Sequence, residues 1–207
     1  MPNKDKIAVI GWGSLIWCPK GLKIRDKNWR ENGPKLPIEF ARISDDGRLT
    51  LVIYEKYLDN EKNWVQTCWN EMDVDCIDEA IENLREREGT RRELIGYIKQ
   101  KEIEMKDGVK VIIYEKRYRS GFIKVLKVIQ DWMVEHGLNG VVWTDLPANF
   151  KKIRGEEPNE NSVIKYLEEI RDENGEKWEK AEEYILLTPE QITTPLRGEI
   201  EKWLKEQ

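Results

Sequence analysis

Histidine is nearly absent from this chain: His136 is the only one in 207 residues. A metal centre built on several imidazoles is therefore impossible, and Ser-His-Asp or Cys-His catalysis would have to rest on that one side chain. Cysteine is scarce as well. Cys18, Cys68 and Cys76 are odd in number and lack metal-ligand spacing, which speaks against a disulfide framework and fits a reduced, cytoplasmic compartment. No apolar run is long enough to span a bilayer, and the polar start Met1 to Asp5 is no signal peptide, so no membrane partner is expected. Basic residues are not in excess. With 35 Lys and Arg against 40 Asp and Glu the net charge is −5, and the footprint of a nucleic-acid binder is missing. There is also no internal repeat and no low-complexity linker. The remaining composition, 39% hydrophobic and 36% charged, suits one soluble globular domain over residues 1–207.

What is present is organised around Lys6-Ile-Ala-Val-Ile-Gly-Trp-Gly-Ser-Leu-Ile-Trp-Cys-Pro19. Ile7 to Ile10 is a continuous β-rich apolar run, the pattern of a strand buried on both faces. It breaks at Gly11 and Gly13. A Gly-x-Gly turn at the end of a buried strand offers bare backbone N–H groups, an anion-binding nest for a carboxylate or phosphate. A dinucleotide fingerprint would need a third glycine where Ile16 stands, and Pro19 follows too soon for the helix it requires. A tight turn without any ligand is the other reading.

Further along, Leu36–Ser44 and Leu49–Tyr54 form a hairpin around the turn signal Asp45-Asp46-Gly47. Trp64–Met72 is expected as a strand, as are Leu94–Ile98 and Val109–Tyr114, the last entered through the turn Lys106-Asp-Gly108. Apolar spacing predicts helices over 122–136, 162–171 and 177–187, a strand at 140–147, and a last amphipathic helix opened by Pro195. Strands first and helices later point to an α+β fold.

The residue most suited to chemistry is Glu88. Asp75 is placed to cap a helix that Gly89 stops, and Ile77, Ala80, Ile81 and Leu84 form its inward stripe. At ~100° per residue, Glu88 continues that stripe while Glu79, Glu82 and Glu86 point away. Burial and the negative end of the helix dipole both disfavour a charged carboxylate, the profile of a general base. The alternatives are a frayed, solvated end or an ion pair with Arg92 at i+4.

Two segments carry a resemblance. Gly11-Trp-Gly-Ser-Leu-Ile-Trp17 resembles the Tyr-Gly-Ser-Leu loop of the γ-glutamylcyclotransferase-like family, especially its glutathione-degrading ChaC branch, with Trp12 standing where the family usually has Tyr. Leu84-Arg-Glu-Arg-Glu-Gly89, followed by Gly96-Tyr97, resembles the segment that ends a helix with the family's catalytic Glu. The likeness covers about residues 6–115. It implies a small mixed β-barrel flanked by helices, on which 116–207 packs as a helical extension. It also implies Glu88 as general base, with Trp12, Gly13, Ser14, Leu15 and Tyr97 binding a small γ-glutamyl amide or peptide that closes to 5-oxoproline and releases an amine. No metal or cofactor is needed for that reaction.

Competing readings remain. Ser14 as a nucleophile has no evident base and is better suited to turn hydrogen bonding. Asp145 is either a strand-end acid or a turn former, and Tyr97 and Tyr114 line a pocket or edge the core. His136 before Gly137 sits well at a helix C-terminus. Trp12 and Trp17 are placed to wall an apolar site. A binding protein that keeps the loop without turnover is the rival from another class, and a related amide-cleaving enzyme is a third reading. Oligomeric state is not set by any of these features.

Overall fold

The computed structural model describes residues 5–106, 108–119, 121–173 and 175–206. Asp107, at the centre of the expected Lys106–Gly108 turn, and the polar start Met1–Lys4 lie outside the described residues. In chain order the strands are β1 (Ile7–Gly11), β2 (Lys35–Leu36), β3 (Ile38–Ile43), β4 (Leu49–Ile53), β5 (Val65–Gln66), β6 (Cys68–Glu71), β7 (Ile95–Glu104), β8 (Lys110–Arg117) and β9 (Gly140–Thr144). The α-helices are α1 (Ile77–Glu88), α2 (Ile123–Glu135), α3 (Phe150–Arg154), α4 (Glu160–Glu173), α5 (Gly175–Leu186) and α6 (Pro195–Lys205). The fold is mixed α+β. The described strands close no barrel: β6 and β8 are the two edges of an open five-stranded sheet and do not pair with each other. Among the described residues no helix is long and apolar enough to cross a membrane.

Two compact units are present, each drawn from separated stretches. The first takes the chain up to Gly11, then Pro19–Pro34 and Cys68–Asp145; the second takes Trp12–Cys18, Lys35–Thr67 and everything from Leu146 on. The stretch that carries the family resemblance, about residues 6–115, is shared between the two units, and its end falls inside the first.

The first unit holds the five-stranded sheet, in the order β6-β1-β9-β7-β8. β1 is an inner strand, between β6 and β9, and is buried throughout, as its unbroken apolar run requires. It pairs parallel with β9, Ile10 opposite Trp143, and antiparallel with β6. The β6 edge is covered by bridges from Ile24 to Met72 and from Arg30 to Trp69. α1 packs on β9 and β7 with Ile77, Ala80, Ile81 and Leu84 buried, the stripe read from the sequence. Its N-cap is Cys76 rather than Asp75. Asp75 instead donates its backbone N–H to Glu79 at 2.9 Å, so the reach-back falls one residue earlier than a capping box would place it. Gly89 ends the helix at φ +58°, a left-handed cap that only glycine adopts without strain.

The second unit contains the β3–β4 hairpin, the short β2–β5 pair and helices α3 to α6. α3 and α6 pack on β3, α5 packs on β4, and α4 lies against α5 and α6. The expected strand Trp64–Met72 is split at Thr67: β5 belongs to this unit and β6 to the first. α3 has no counterpart in the sequence reading, because one and a half turns leave too short a period to detect.

Gly96 is required by close approach. A Cβ there would fall 2.2 Å from the Trp143 indole, which is 1% exposed and has nowhere to move. Gly96→Ala is expected to destabilise the chain by about 1–3 kcal/mol through overpacking, read as a lower urea midpoint at unchanged m-value. An unaltered midpoint would contradict this packing.

Candidate functional site

Glu88 is the last residue of α1, and its carboxylate is largely covered: the side chain is 16% exposed, against 68% for Glu86. The inward and outward positions assigned from the helical period are those observed. Glu88 is not solvated and does not pair with Arg92, which instead bonds Glu82 and Asp78. It is held by its own neighbour, Arg87, whose Nη1 donates to Glu88 Oε1 at 3.0 Å. The inward carboxylate expected from the sequence is thus paired, with Arg87 in place of the Arg92 considered there.

The direction of α1 decides what Glu88 meets. The helix begins against the start of β9, where a Cβ on Gly140 would lie 2.9 Å from Ile77. The chain leaving its end rejoins the sheet at Leu94 and Ile95. Ile95 pairs with Thr144, and Leu94 O accepts the Asp145 N–H at 2.8 Å. Glu88 therefore lies at the end of the sheet where β9 finishes, and β1 finishes beside it at Gly11. The face that α1 covers carries Gly140, Val142 and Thr144 of β9 and, paired with them, Tyr97 of β7. Tyr97 is half-buried there and donates its hydroxyl to Glu115 at 3.0 Å. Burial, then the Glu115 charge, raises its pKa above the ordinary tyrosine value. Thr144 Oγ1 is buried and has no hydrogen-bond partner among the described residues. A buried hydroxyl without a partner calls for a ligand or water. No sequence signal marked Thr144.

Asp145 falls on the opposite face. Its carboxylate is 4% exposed and accepts the Arg119 backbone N–H at 2.8 Å and Arg119 Nε at 2.9 Å. Burial raises its pKa and Arg119 partly offsets that. This is a structural ion pair that ties the chain after β8 to the end of β9.

The loop Trp12–Cys18 belongs to the second unit, and there it is built into packing. Trp12 is buried and donates its indole N–H to Leu51 O at 3.1 Å. A Cβ on Gly13 would fall 2.2 Å from the Tyr184 hydroxyl, and that hydroxyl accepts the Leu51 N–H at 3.3 Å. Trp17 meets the same tyrosine edge-on at 5.2 Å. Ile16 N–H to Gly13 O and Cys18 N–H to Ser14 O close the turn. Leu15 is buried and Ser14 partly so. The close approach that Gly13 permits is to a side chain of α5.

No family model matches the chain, and neither a curated protein nor a solved structure matches it. The chemistry of the site therefore rests on its own geometry.

The second unit also holds a carboxyl that sequence reading passed over. Glu39 on β3 is fully buried. Its Oε1 accepts from the Phe40 N–H and the Thr194 hydroxyl, both at 2.7 Å, and its Oε2 from the Tyr57 hydroxyl at 3.0 Å and the Leu196 N–H at 3.1 Å. It closes the N-terminus of α6 alongside the Thr194 cap. Burial raises its pKa in spite of the four hydrogen bonds. The available signal was a lone carboxylate in the apolar run Leu36–Ala41. A cavity of about 510 Å³ nearby is lined by Thr188, Glu190, Thr194, Arg197 and Glu201, and by none of the site residues expected from the sequence. Its Arg197 is engaged by Glu201 and by the carbonyls of Thr188, Pro189 and Ile192.

Proposed function

We propose that this chain is a γ-glutamylcyclotransferase-like enzyme that converts a small γ-glutamyl amide or peptide to 5-oxoproline and a free amine, with Glu88 as general base. The observation that supports this reading is the covered Glu88 carboxylate at the end of α1, on the sheet face and at the sheet end that also carry the unpartnered Thr144 hydroxyl. Glu88 takes a proton from the substrate's α-ammonium. The freed amine attacks the γ-carbonyl carbon and the new C–N bond closes the lactam; the ring nitrogen sheds its second proton, the original amide C–N bond breaks, and both protons end on the leaving amine, which departs as an ammonium ion. An α-amino group titrates near ~8, so a carboxylate base in a covered site is adequate, and intramolecular attack gains from proximity. In this reading Tyr97 contacts the substrate from the same sheet face. Trp12 and Gly13, which the family resemblance assigns to substrate binding, are engaged in the packing of their own loop.

A second reading, a binding protein without turnover, is favoured by the Arg87–Glu88 pair, since a base must first be released from that guanidinium. The two are separated by offering several γ-glutamyl amides, glutathione among them, and following lactam formation by mass. Turnover of one of them is expected. If none is turned over while γ-glutamyl ligands still raise the melting temperature, the binding reading replaces the enzymatic one.

A further inference from the structure

We propose that the β8 edge of the sheet is the interface of a homodimer, in which β8 pairs antiparallel with β8 of a second copy about an axis through Ile112. The two edges of the sheet differ. β6 is covered by the bridges from Ile24 and Arg30, while β8 is the last strand and, among the described residues, pairs only with β7. Unprotected edges are normally short, bulged, interrupted by proline or charged along their length. β8 is eight residues long, keeps an unbroken register with β7 and has no proline. Its middle is apolar on both faces: Val111, Ile112 and Ile113 are 38%, 51% and 39% exposed, and Met105 and Val109 of the same hairpin are 49% and 54% exposed.

The hydrogen-bond pattern shows which groups await a partner. Met105 N–H bonds Val109 O at 2.8 Å, so these two form a bonded pair of the antiparallel ladder. Counting along the register, Val111 and Ile113 also point their backbone groups at β7, and Lys110, Ile112, Tyr114 and Lys116 point theirs outward. β7 agrees: the Gln100 N–H, opposite Tyr114, bonds Asn139 O on the side away from β8. An added antiparallel copy must therefore bond to the even-numbered residues.

Charge and apolar pairing together favour one register. With the axis through Ile112, Ile112 faces itself, Val111 faces Ile113 twice, and Lys110 faces Tyr114 twice. Every apolar residue at the centre meets another, and no like charges stand opposite. Moving the axis to Ile113 would set Lys110 against Lys116 at both ends, and like charges directly opposite are destabilising.

The test uses the full chain. Sedimentation velocity across a concentration series is expected to show a monomer–dimer equilibrium, weakened at least ~10-fold by Ile112→Lys, which sets two ammonium groups face to face on the axis. Ile112→Pro is expected to weaken it too while sparing the β7–β8 ladder, because the N–H it removes points outward. Register is read by cross-linking in a Cys18→Ser, Cys76→Ser background. Ile112→Cys places two sulfur-bearing residues opposite each other at a Cα separation of about 5.5 Å, within disulfide reach, and is expected to oxidise to a covalent dimer. Tyr114→Cys places them about 13 Å apart along the strands and is expected not to. A monomer at every concentration overturns the proposal. So does a dimer indifferent to Ile112→Lys, or one in which Tyr114→Cys cross-links as readily as Ile112→Cys. If Ile112→Lys fails to fold by circular dichroism, the cross-linking pair decides alone.

Discussion

Replacing Glu88 with Gln is expected to abolish 5-oxoproline release, a loss of at least ~10²-fold for a missing acid–base group, while leaving the fold in place. The amide keeps the shape of the side chain at the end of α1 and can still accept a hydrogen bond from Arg87, but it cannot take a proton at neutral pH. Glu86→Gln is the control. Its side chain is 68% exposed and two residues away on the same helix, so it changes the local charge equally without touching the covered site. Far-UV circular dichroism and the melting temperature of both variants establish that they fold alike. Wild-type activity that survives Glu88→Gln unchanged sinks the assignment of the base. Equal losses in Glu88→Gln and Glu86→Gln would point to a field effect rather than to proton transfer.

Removing the Glu39 carboxyl is expected to be the largest single loss of stability. Glu39→Ala strands four donors in a dry site: the N–H groups of Phe40 and Leu196 and the hydroxyls of Tyr57 and Thr194. An unsatisfied buried donor costs about 1–3 kcal/mol. The two hydroxyls can rotate but the two N–H groups cannot, so a total of roughly 3 kcal/mol or more is expected, measured as a fall in the urea midpoint. Glu39→Gln keeps the volume and one acceptor oxygen but turns an NH₂ toward a donor, so its loss is intermediate.

The same residue sets a pH dependence of defined sign. Burial raises the folded pKa of Glu39 above its ordinary value of 4.5. Between 4.5 and the folded value the native state holds a proton that the unfolded chain has released. The stability this group contributes is therefore fully present below 4.5 and is lost as pH rises through the folded pKa. Relative to Glu39→Gln, wild type is expected to lose ground as the pH of the urea titrations is raised from 4.5 toward neutrality. An advantage that grows with pH would mean that the four donors outweigh burial and hold the carboxylate ionised.

Local pattern alone determined the elements that matter most. The unbroken run Ile7–Ile10 has the pattern of a strand covered on both faces, and it is an inner strand of the sheet, buried throughout. The 3.6-residue period ending at Gly89 bounded α1 at Glu88 and turned Glu88 inward and Glu86 outward, because both signals lie within a few turns of one helix. The tertiary structure decided what depends on residues distant in sequence. It split Trp64–Met72 at Thr67 between two units, though nothing in the alternation of that stretch marks the break. It set Tyr184 against Gly13, giving a packing reason where the motif suggested a ligand or a turn, and Trp143 against Gly96, which the sequence offered only as part of a resemblance. It supplied Arg87 as the partner of Glu88, and the four donors that make a lone glutamate in an apolar strand tolerable. It also left β8 as an open sheet edge rather than a barrel strand. Periodicity reports which way a side chain faces relative to its own element. Which side chain it then meets is fixed only when the chain closes on itself, and burial, pairing and charge are properties of that meeting.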